Sequence, residues 1–381
     1  MAPMATPETV RPNSGDELAR VLADAARRGL KVAPRGGGTK SDWGCTPQRV
    51  DLVLSTLGVN RVLEHASGDM TCTIEAGCTI AAVQQALAQH GQRLALDPLW
   101  PGRATVGGAL ATNDNGPLRH AFGSARDLLL GVTVALPDGT LARSGGKVVK
   151  NVAGYDLPKL MIGAFGTLGV ITQATFRLHP LPRQTRTHVL TAPTVADAAR
   201  FLTAVRASTL VVTGLQLSAG HDVRTTVAVR IEGSDAGVLA SAAQLMENAA
   251  ACGLASVEDT INPWAGRERP WQEPGTVAKV TFPPSRIAHL CATIPNAPWT
   301  FVAQATGTAL LATTADPDDI AELADRLRTT GGALTVLRGD AAMKQRINIA
   351  AIAGVLPLMQ RVKHQFDPAG VLNPGALCGG I

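Results

Sequence analysis

Four runs of this chain combine glycine with hydroxyl, amide and cationic side chains, and each could hold an anionic or flat ligand. The first is Pro34-Arg35-Gly36-Gly37-Gly38-Thr39-Lys40, placed after a short apolar stretch. Consecutive glycines let backbone amides converge on an anion without side-chain obstruction. Arg35 and Lys40 would add charge and Thr39 a hydroxyl donor. The run is not a Walker loop, since no GK[ST] follows the required spacer. It is not GxGxxG opening a helix either, which disfavours a nicotinamide site. On its own it also fits an ordinary flexible loop.

The second run extends from Asp97 and Pro98 to Gly116 and includes Thr105, Gly107, Gly108, Thr112, Asn113, Asp114 and Asn115. Its small residues would let backbone pack against a flat ligand while Thr and Asn supply hydrogen bonds. A glycine-rich turn fits it equally well. The third run, Gly163 to Ile171, contains Gly166, Thr167, Leu168, Gly169, Val170 and Ile171 and reads as a turn entering a strand. Just before it stands Tyr155, the chain's single tyrosine, read as a half-buried side chain with a satisfied hydroxyl. The fourth comprises Phe366-Asp367-Pro368 and Leu372-Asn373-Pro374-Gly375, the latter a turn.

The intervening sequence predicts the elements that position these runs. Ser14-Gly15-Asp16-Glu17 is a capping box opening a helix whose Leu18, Val21, Leu22 and Ala25 share a face; Gly29 stops it. Lys31 to Pro34, Val50 to Leu54, Thr71 to Ala76, Asp127 to Leu136 and Leu168 to Leu178 read as strands, and Thr79 caps a helix ending before Gly91. After Leu181-Pro182 the glycine clusters thin out, and strands alternate with helices over Val195 to Ala207, Ala236 to Cys252 and Pro317 to Thr330. That pattern predicts an α+β domain, antiparallel strands with helices on one face. A last helix, Ala353 to Gln365, would return the chain to the first domain. The expected division is residues 1–182, 183–350 and 351–381.

With 381 residues, 45% of them hydrophobic and 17% charged, the chain can bury more than one core. The net charge of +5 is scattered, so it predicts an anionic small molecule rather than nucleic acid, which needs a clustered basic patch. The six cysteines form no CxxC pair, which argues against zinc or iron–sulfur ligation and predicts buried, reduced thiols. The eight histidines form no HxH or HxxxH pair, so no metal site is expected. Met1 to Met4 does not read as a signal peptide, and Leu128 to Leu136 is too short to span a bilayer.

Taken in order, these runs resemble the FAD-linked oxidases of the vanillyl-alcohol oxidase superfamily, with its PCMH-type FAD domain. The closing FDPAGVLNPG matches that family's end signature. The resemblance covers Val10 to about Pro182 and about Leu356 to Leu377. The run GYDLPKLMIGAFGTLGVI is most similar to the FAD-binding E subunit of bacterial glycolate oxidase. The resemblance implies a two-lobed FAD domain and an α+β cap. Pro34 to Lys40 would form the pyrophosphate loop. Asp97 to Thr105 and Thr112 to Asn115 would line phosphate and flavin, and Phe165 to Ile171 would meet flavin and adenine through backbone. Asn373 would stand near the isoalloxazine end.

It further implies FAD held non-covalently, because no His or Cys lies in the glycine loop. The implied activity is oxidation of glycolate, a 2-hydroxy acid, to glyoxylate, with electrons passed to partner subunits. Those partners are a homologous FAD-linked catalytic subunit and an iron–sulfur subunit. The implied location is the cytoplasm, or the inner face of the membrane through the complex. Two alternatives stay open: a self-sufficient oxidoreductase for another hydroxy acid, and a structural flavoprotein subunit without turnover. Relatives acting on D-lactate or D-2-hydroxyglutarate read GSEGTLG where this chain has Gly163-Ala164-Phe165-Gly166-Thr167-Leu168-Gly169. They also carry an HxGDGNxH-like strand where Phe301 to Ala309 here has no histidine. No catalytic residue is assigned; Arg119, Arg338 and Arg346 are candidates for holding a substrate carboxylate.

Overall fold

The computed structural model describes residues 7–47, 49–147, 156–221, 223–257, 262–294 and 298–381. The expectation for Tyr155 lies outside the described residues. The chain divides into two compact units. One comprises Met1–Gly116, Gly123–Leu181 and Ile352–Ile381; the other comprises Pro117–Phe122 and Pro182–Ala351.

The first unit is built on two main sheets. A parallel three-stranded sheet has the order Glu8–Val10, Leu52–Ser55, Val32–Arg35. An antiparallel five-stranded sheet has the order Val62–Ala66, Thr71–Glu75, Val170–Arg177, Leu129–Ala135, Leu141–Gly145. The helix Gly15–Arg27 places Leu18, Leu22 and Ala25 in a core with Val32, Leu54, Ala135 and Val170. Ser14 accepts from the Glu17 amide as the sequence predicts, but Glu17 reaches back to the Asn13 amide rather than to that of Ser14. Gly29 ends the helix with a positive φ of 67°.

The C-terminal segment belongs to this core. Val371 and Leu372 are buried in it, and Leu372 forms a parallel bridge with Val32. The return helix runs Leu356–Phe366, starting three residues and ending one residue later than the sequence suggests. Pro357 stands near its N-terminus, where the missing amide donor costs nothing.

The second unit holds an eight-stranded antiparallel sheet ordered Ala255–Val257, Gln184–Thr191, Val223–Gly233, Gly214–Gly220, Trp299–Gln304, Thr308–Thr313, Thr276–Thr281, Ala333–Arg338. Alternate residues such as Leu215, Leu217, Val227, Val229, Phe301 and Leu311 share one core with Phe201, Leu245, Leu290 and Leu323 from helices. Period-two burial of this kind is the mark of a sheet with one face covered. The strands Thr276–Thr281 and Ala255–Val257 escaped the sequence reading. Among the described residues, no helix is long and apolar enough to cross a membrane.

Candidate functional site: a cavity in the first unit

The first unit encloses a cavity of about 400 Å³. Three of the predicted runs meet in it, together with Asn373 from the fourth. Pro34, Arg35, Gly36, Gly37, Gly38, Thr39 and Lys40 line it, as do Thr105, Gly107, Gly108 and Thr112, then Gly166, Gly169, Val170 and Ile171. Residues that sequence reasoning missed complete the wall: Trp43, Cys45, Thr46 and Ala376 among them.

The second run is not a turn. Thr105 accepts from the Gly108 amide and caps a short helix, Val106–Thr112, that ends at Asn113 with φ 49°. This helix is pinned to the strand Thr71–Glu75 through the residues that follow it: Gly107 N donates to Ala76 O and Val106 N to Cys78 O. A Cβ at Gly107 would sit 2.8 Å from Ala76 Cβ, so glycine is needed there for helix–strand contact.

The glycine loop is tight for a related reason. A Cβ on Gly37 would fall 1.8 Å from Arg103 O, and one on Gly36 would fall 2.1 Å from Thr105 Oγ1. Both glycines are therefore fixed by protein packing against the 103–105 segment. Gly38 and Gly108 are different. An added Cβ at Gly38 meets only Ser41 Oγ and Arg35 Cδ, at 3.8 and 3.9 Å, and one at Gly108 meets only Thr105 Oγ1 at 3.1 Å. Both line the cavity, so their missing side chains leave room along its wall.

Several residues of the sequence assignment lie away from this cavity in the structure. Asp97, Pro98, Asn113, Asp114, Asn115, Gly116, Thr167 and Leu168 are not among the residues lining this cavity. Asp114 is buried and accepts from Leu99 N at 2.8 Å, and Asn115 accepts from Ala125 N and donates to Asn113 O. Gly116 lies against Asp97, whose carbonyl would be 2.2 Å from an added Cβ. Thr167 is fully buried and donates to Ala164 O. These residues hold the loops in shape; polar side chains in a run rich in turns serve the backbone as readily as a ligand. Lys40 does line the cavity, but its ammonium is buried 3.2 Å from Asp114 Oδ2 and 5.7 Å from the ring centres of Trp43 and Trp100. Its charge is therefore matched within the protein, and Arg35, an exposed side chain at the rim, is the better cation for a phosphate.

The cysteines are also corrected. Cys45 and Cys378, 333 residues apart, form a disulfide with a Cα–Cα distance of 5.6 Å. Spacing in sequence gives no hint of it because only the folded tail brings them together. Cys72, Cys78, Cys252 and Cys291 are free.

Of the candidate arginines, Arg338 donates to the carbonyls of Pro270, Trp271, Glu273 and Gly275. Arg346 bonds Pro317 O and pairs with Asp318 on the exposed surface. Both are occupied by the second unit's own structure.

Two stretches of the chain match known families. Residues 7–145 match the family described as "FAD binding domain", and residues 343–377 match "FAD linked oxidases, C-terminal domain". These two matches cover 174 of the chain's 381 residues, which are similar to the FAD-linked oxidases. The chain's cofactor is FAD, and its fold is the PCMH-type FAD domain with an α+β second unit. Two crystal structures of alkyldihydroxyacetonephosphate synthase superpose with a TM-score of 0.72 over 96% of this chain at 18% identity, covering 75% and 76% of those chains.

Among curated relatives, glycolate oxidase subunit GlcD of Bacillus subtilis is 34% identical over 178 residues, 47% of this chain and 38% of the relative. D-lactate dehydrogenase of Archaeoglobus fulgidus is 36% identical over 191 residues, 50% of this chain and 42% of the relative. The mitochondrial D-2-hydroxyglutarate dehydrogenase of Bos taurus is 36% identical over 200 residues, 52% of this chain and 36% of the relative. The aligned part thus spans well under half the length of these relatives. The names of these three relatives describe proteins acting on 2-hydroxy acids.

Proposed function

We propose that this chain is the FAD-binding subunit of a complex that oxidises glycolate to glyoxylate. It would work in the cytoplasm or at the inner face of the membrane, beside a homologous FAD-linked flavoprotein and an iron–sulfur subunit. The observation that carries the reading is the 34% identity to a glycolate oxidase subunit over 178 residues. The cavity supports it with a wall that joins apolar side chains to glycines, hydroxyls and a cation, a mixture suited to a dinucleotide. Gly38 and Gly108 leave space for the diphosphate, Arg35 supplies a cation, and Thr39, Thr105 and Thr112 supply hydroxyls. The backbone of Gly169, Val170 and Ile171 would flank the flat ring.

FAD bound there supplies a two-electron acceptor for the substrate. The protein's part is to hold and orient it. Attachment is non-covalent: the cysteine on the cavity wall, Cys45, is already bonded to Cys378. The commitment of Arg338 and Arg346 to other contacts removes two of the three arginines considered for holding the substrate carboxylate. An absent proton acceptor at the substrate hydroxyl would slow turnover by roughly 10²–10⁴.

The test is anaerobic titration of the FAD-loaded chain with glycolate, D-lactate and D-2-hydroxyglutarate, following flavin absorbance with and without the two partners. Bleaching by glycolate only in the complex is expected. Rapid bleaching by glycolate or another hydroxy acid in the isolated chain would instead establish a self-sufficient enzyme. A complex that assembles but needs no flavin on this subunit would leave it a structural partner.

A further inference from the structure

Two walls of the FAD cavity come from opposite ends of the sequence. Trp43, Cys45 and Thr46 follow the glycine loop, while Asn373 and Ala376 belong to the C-terminal segment. They are joined directly. Cys45 N donates to Ala376 O at 2.8 Å, and Gly44 approaches so closely that a Cβ there would lie 2.3 Å from the same oxygen. The Cys45–Cys378 disulfide closes this junction covalently. Around it, Ala376 N donates to Asn373 O, Gly375 N and Leu377 N donate to Ile381 O, Gln360 Nε2 donates to Gly379 O, and Ala376 and Ile381 are buried.

We propose that the Cys45–Cys378 disulfide is a redox-controlled clasp on the FAD cavity: oxidised, it holds the tail against the glycine-loop wall and retains FAD; reduced, it releases both. Cys45 and Cys378 are only 8% and 5% exposed, but Cys45 lines the cavity. A reductant therefore reaches the bond through the cavity or by opening the tail, and bound FAD obstructs both routes. Coupling must be reciprocal at equilibrium. If the closed clasp favours FAD, FAD must favour the closed clasp by the same factor.

The reaction is ordinary thiol–disulfide exchange with a dithiol of the dithiothreitol or thioredoxin class. A thiolate of the reductant attacks one sulfur, breaking the Cys45–Cys378 bond and forming a mixed disulfide. The reductant's second thiolate displaces the remaining protein thiolate. The two cysteines gain two electrons and two protons; the dithiol loses them and becomes a disulfide. Three of the four free cysteines do not compete. Burial pushes the Cys72 and Cys291 thiols up to about 12 and that of Cys78 to about 11, so they remain protonated.

The experiment uses the full chain, stripped of FAD and reloaded. Alkylation of the denatured, non-reduced protein comes first: four labelled cysteines are expected, and six would overturn the clasp. FAD affinity is then measured by flavin fluorescence for the oxidised chain, the dithiothreitol-reduced chain and the Cys45→Ala/Cys378→Ala variant. The dithiothreitol concentration needed for half reduction is measured with and without saturating FAD. A rise in Kd on the order of 10-fold on reduction, repeated in the variant and matched by FAD's shift of the reduction midpoint, is expected. Equal Kd in both redox states overturns the proposal, as does a slower reduction rate without a shifted midpoint, which would be shielding alone. If the variant misfolds, the reversible reduction of the natural chain still decides. Failure of the oxidised chain to take up any FAD would sink the cofactor assignment itself, a result distinct from equal affinity in both states.

Discussion

Asn373 donates its side-chain amide to the backbone carbonyl of Phe165 at 2.8 Å across 208 residues of sequence. Both residues have left-handed backbone, with φ of 44° and 53°, and both line the FAD cavity. Left-handed backbone costs a non-glycine residue roughly 1–2 kcal/mol, and asparagine tolerates it best. Such positions gather where a site demands a particular wall. Here the bond fixes the turn that enters the strand Val170–Arg177, so the two strained residues brace each other.

This bracing separates three substitutions at Asn373. Asn373→Ala loses the bond and the backbone tolerance and is expected to cost ~2–3 kcal/mol. Asn373→Gly keeps the left-handed conformation and loses only the bond, so it costs about 1 kcal/mol. Asn373→Asp removes the donor and faces a carbonyl with a carboxylate, and should lower FAD affinity most. Denaturant unfolding and FAD titration of the three variants read the order; equal effects of Ala and Gly would show that the backbone strain is immaterial.

Lys363 secures the same segment. Its buried ammonium donates to Thr167 O at 2.7 Å, Leu372 O at 2.8 Å and Asp367 Oδ2 at 2.6 Å, while Asp367 accepts from Val371 N and Leu372 N. Lys363→Met leaves a buried carboxylate without its counter-charge, and a loss of ~3–5 kcal/mol is expected. Burial pulls the Lys363 ammonium below the ordinary lysine value of 10.5. The unfolded chain then holds that proton more tightly, so this residue's contribution to stability rises with pH through the window just below 10.5. Unfolding curves at neutral and alkaline pH should show this rise in the natural chain relative to Lys363→Met.

The Lys40–Asp114 pair lies inside the cavity wall. Asp114→Asn strands a buried ammonium and is expected to cost ~3–5 kcal/mol, whereas Lys40→Met with Asp114→Leu should recover much of that. A double-mutant cycle by thermal unfolding measures the coupling; additivity of the two single changes would mean the charges do not interact.

Arg35 should act on ligand rather than on fold. Its side chain is exposed at the cavity rim, so Arg35→Gln should leave unfolding unchanged within about 0.5 kcal/mol. Loss of a charge-assisted bond to phosphate, ~1.5–3 kcal/mol, predicts a 10- to 100-fold weaker FAD Kd, roughly. An unchanged Kd would move the diphosphate away from this loop.

Thiol chemistry gives a pH prediction. Cys72, Cys78 and Cys291 have pKa values raised to about 12, 11 and 12 by burial, so their thiolates form only above the range where the fold is ordinarily handled. In the native oxidised chain, a thiolate-directed reagent at pH 7 to 9, roughly the range where an unperturbed thiol ionises, should label Cys252 at most. Mass spectrometry of the labelled peptides checks it; fast labelling at Cys72 or Cys78 would show that the first unit opens readily.

Much of the local structure could be read directly from sequence. Ser14 and Thr79 cap the helices they precede, Gly29 and Gly91 follow theirs with positive φ, and Val227, Val229 and Ile231 alternate along a half-covered strand. These signals act over a few residues, which is the range a sequence pattern encodes. Side-chain destinations over longer range were harder. Asp114, Asn115 and Thr167 have the residue types of a binding loop, yet their bonds go to Leu99, Ala125 and Ala164. A polar side chain has no way to declare in sequence whether its partner is a ligand or a backbone amide.

The sequence by itself determined the glycine loop, the small-residue runs and the NPG turn, and with them the resemblance to FAD-linked oxidases. Only the tertiary structure decided what those runs do for one another. Gly37 is glycine because Arg103 O occupies the place of its Cβ, Lys40 is neutralised by Asp114, and Cys45 finds Cys378 across 333 residues. The physical reason is that close approach, ion pairing and disulfide bonding depend on distances in space. Those are set when Val371 and Leu372 enter the core beside Val32 and carry the end of the chain back to its beginning.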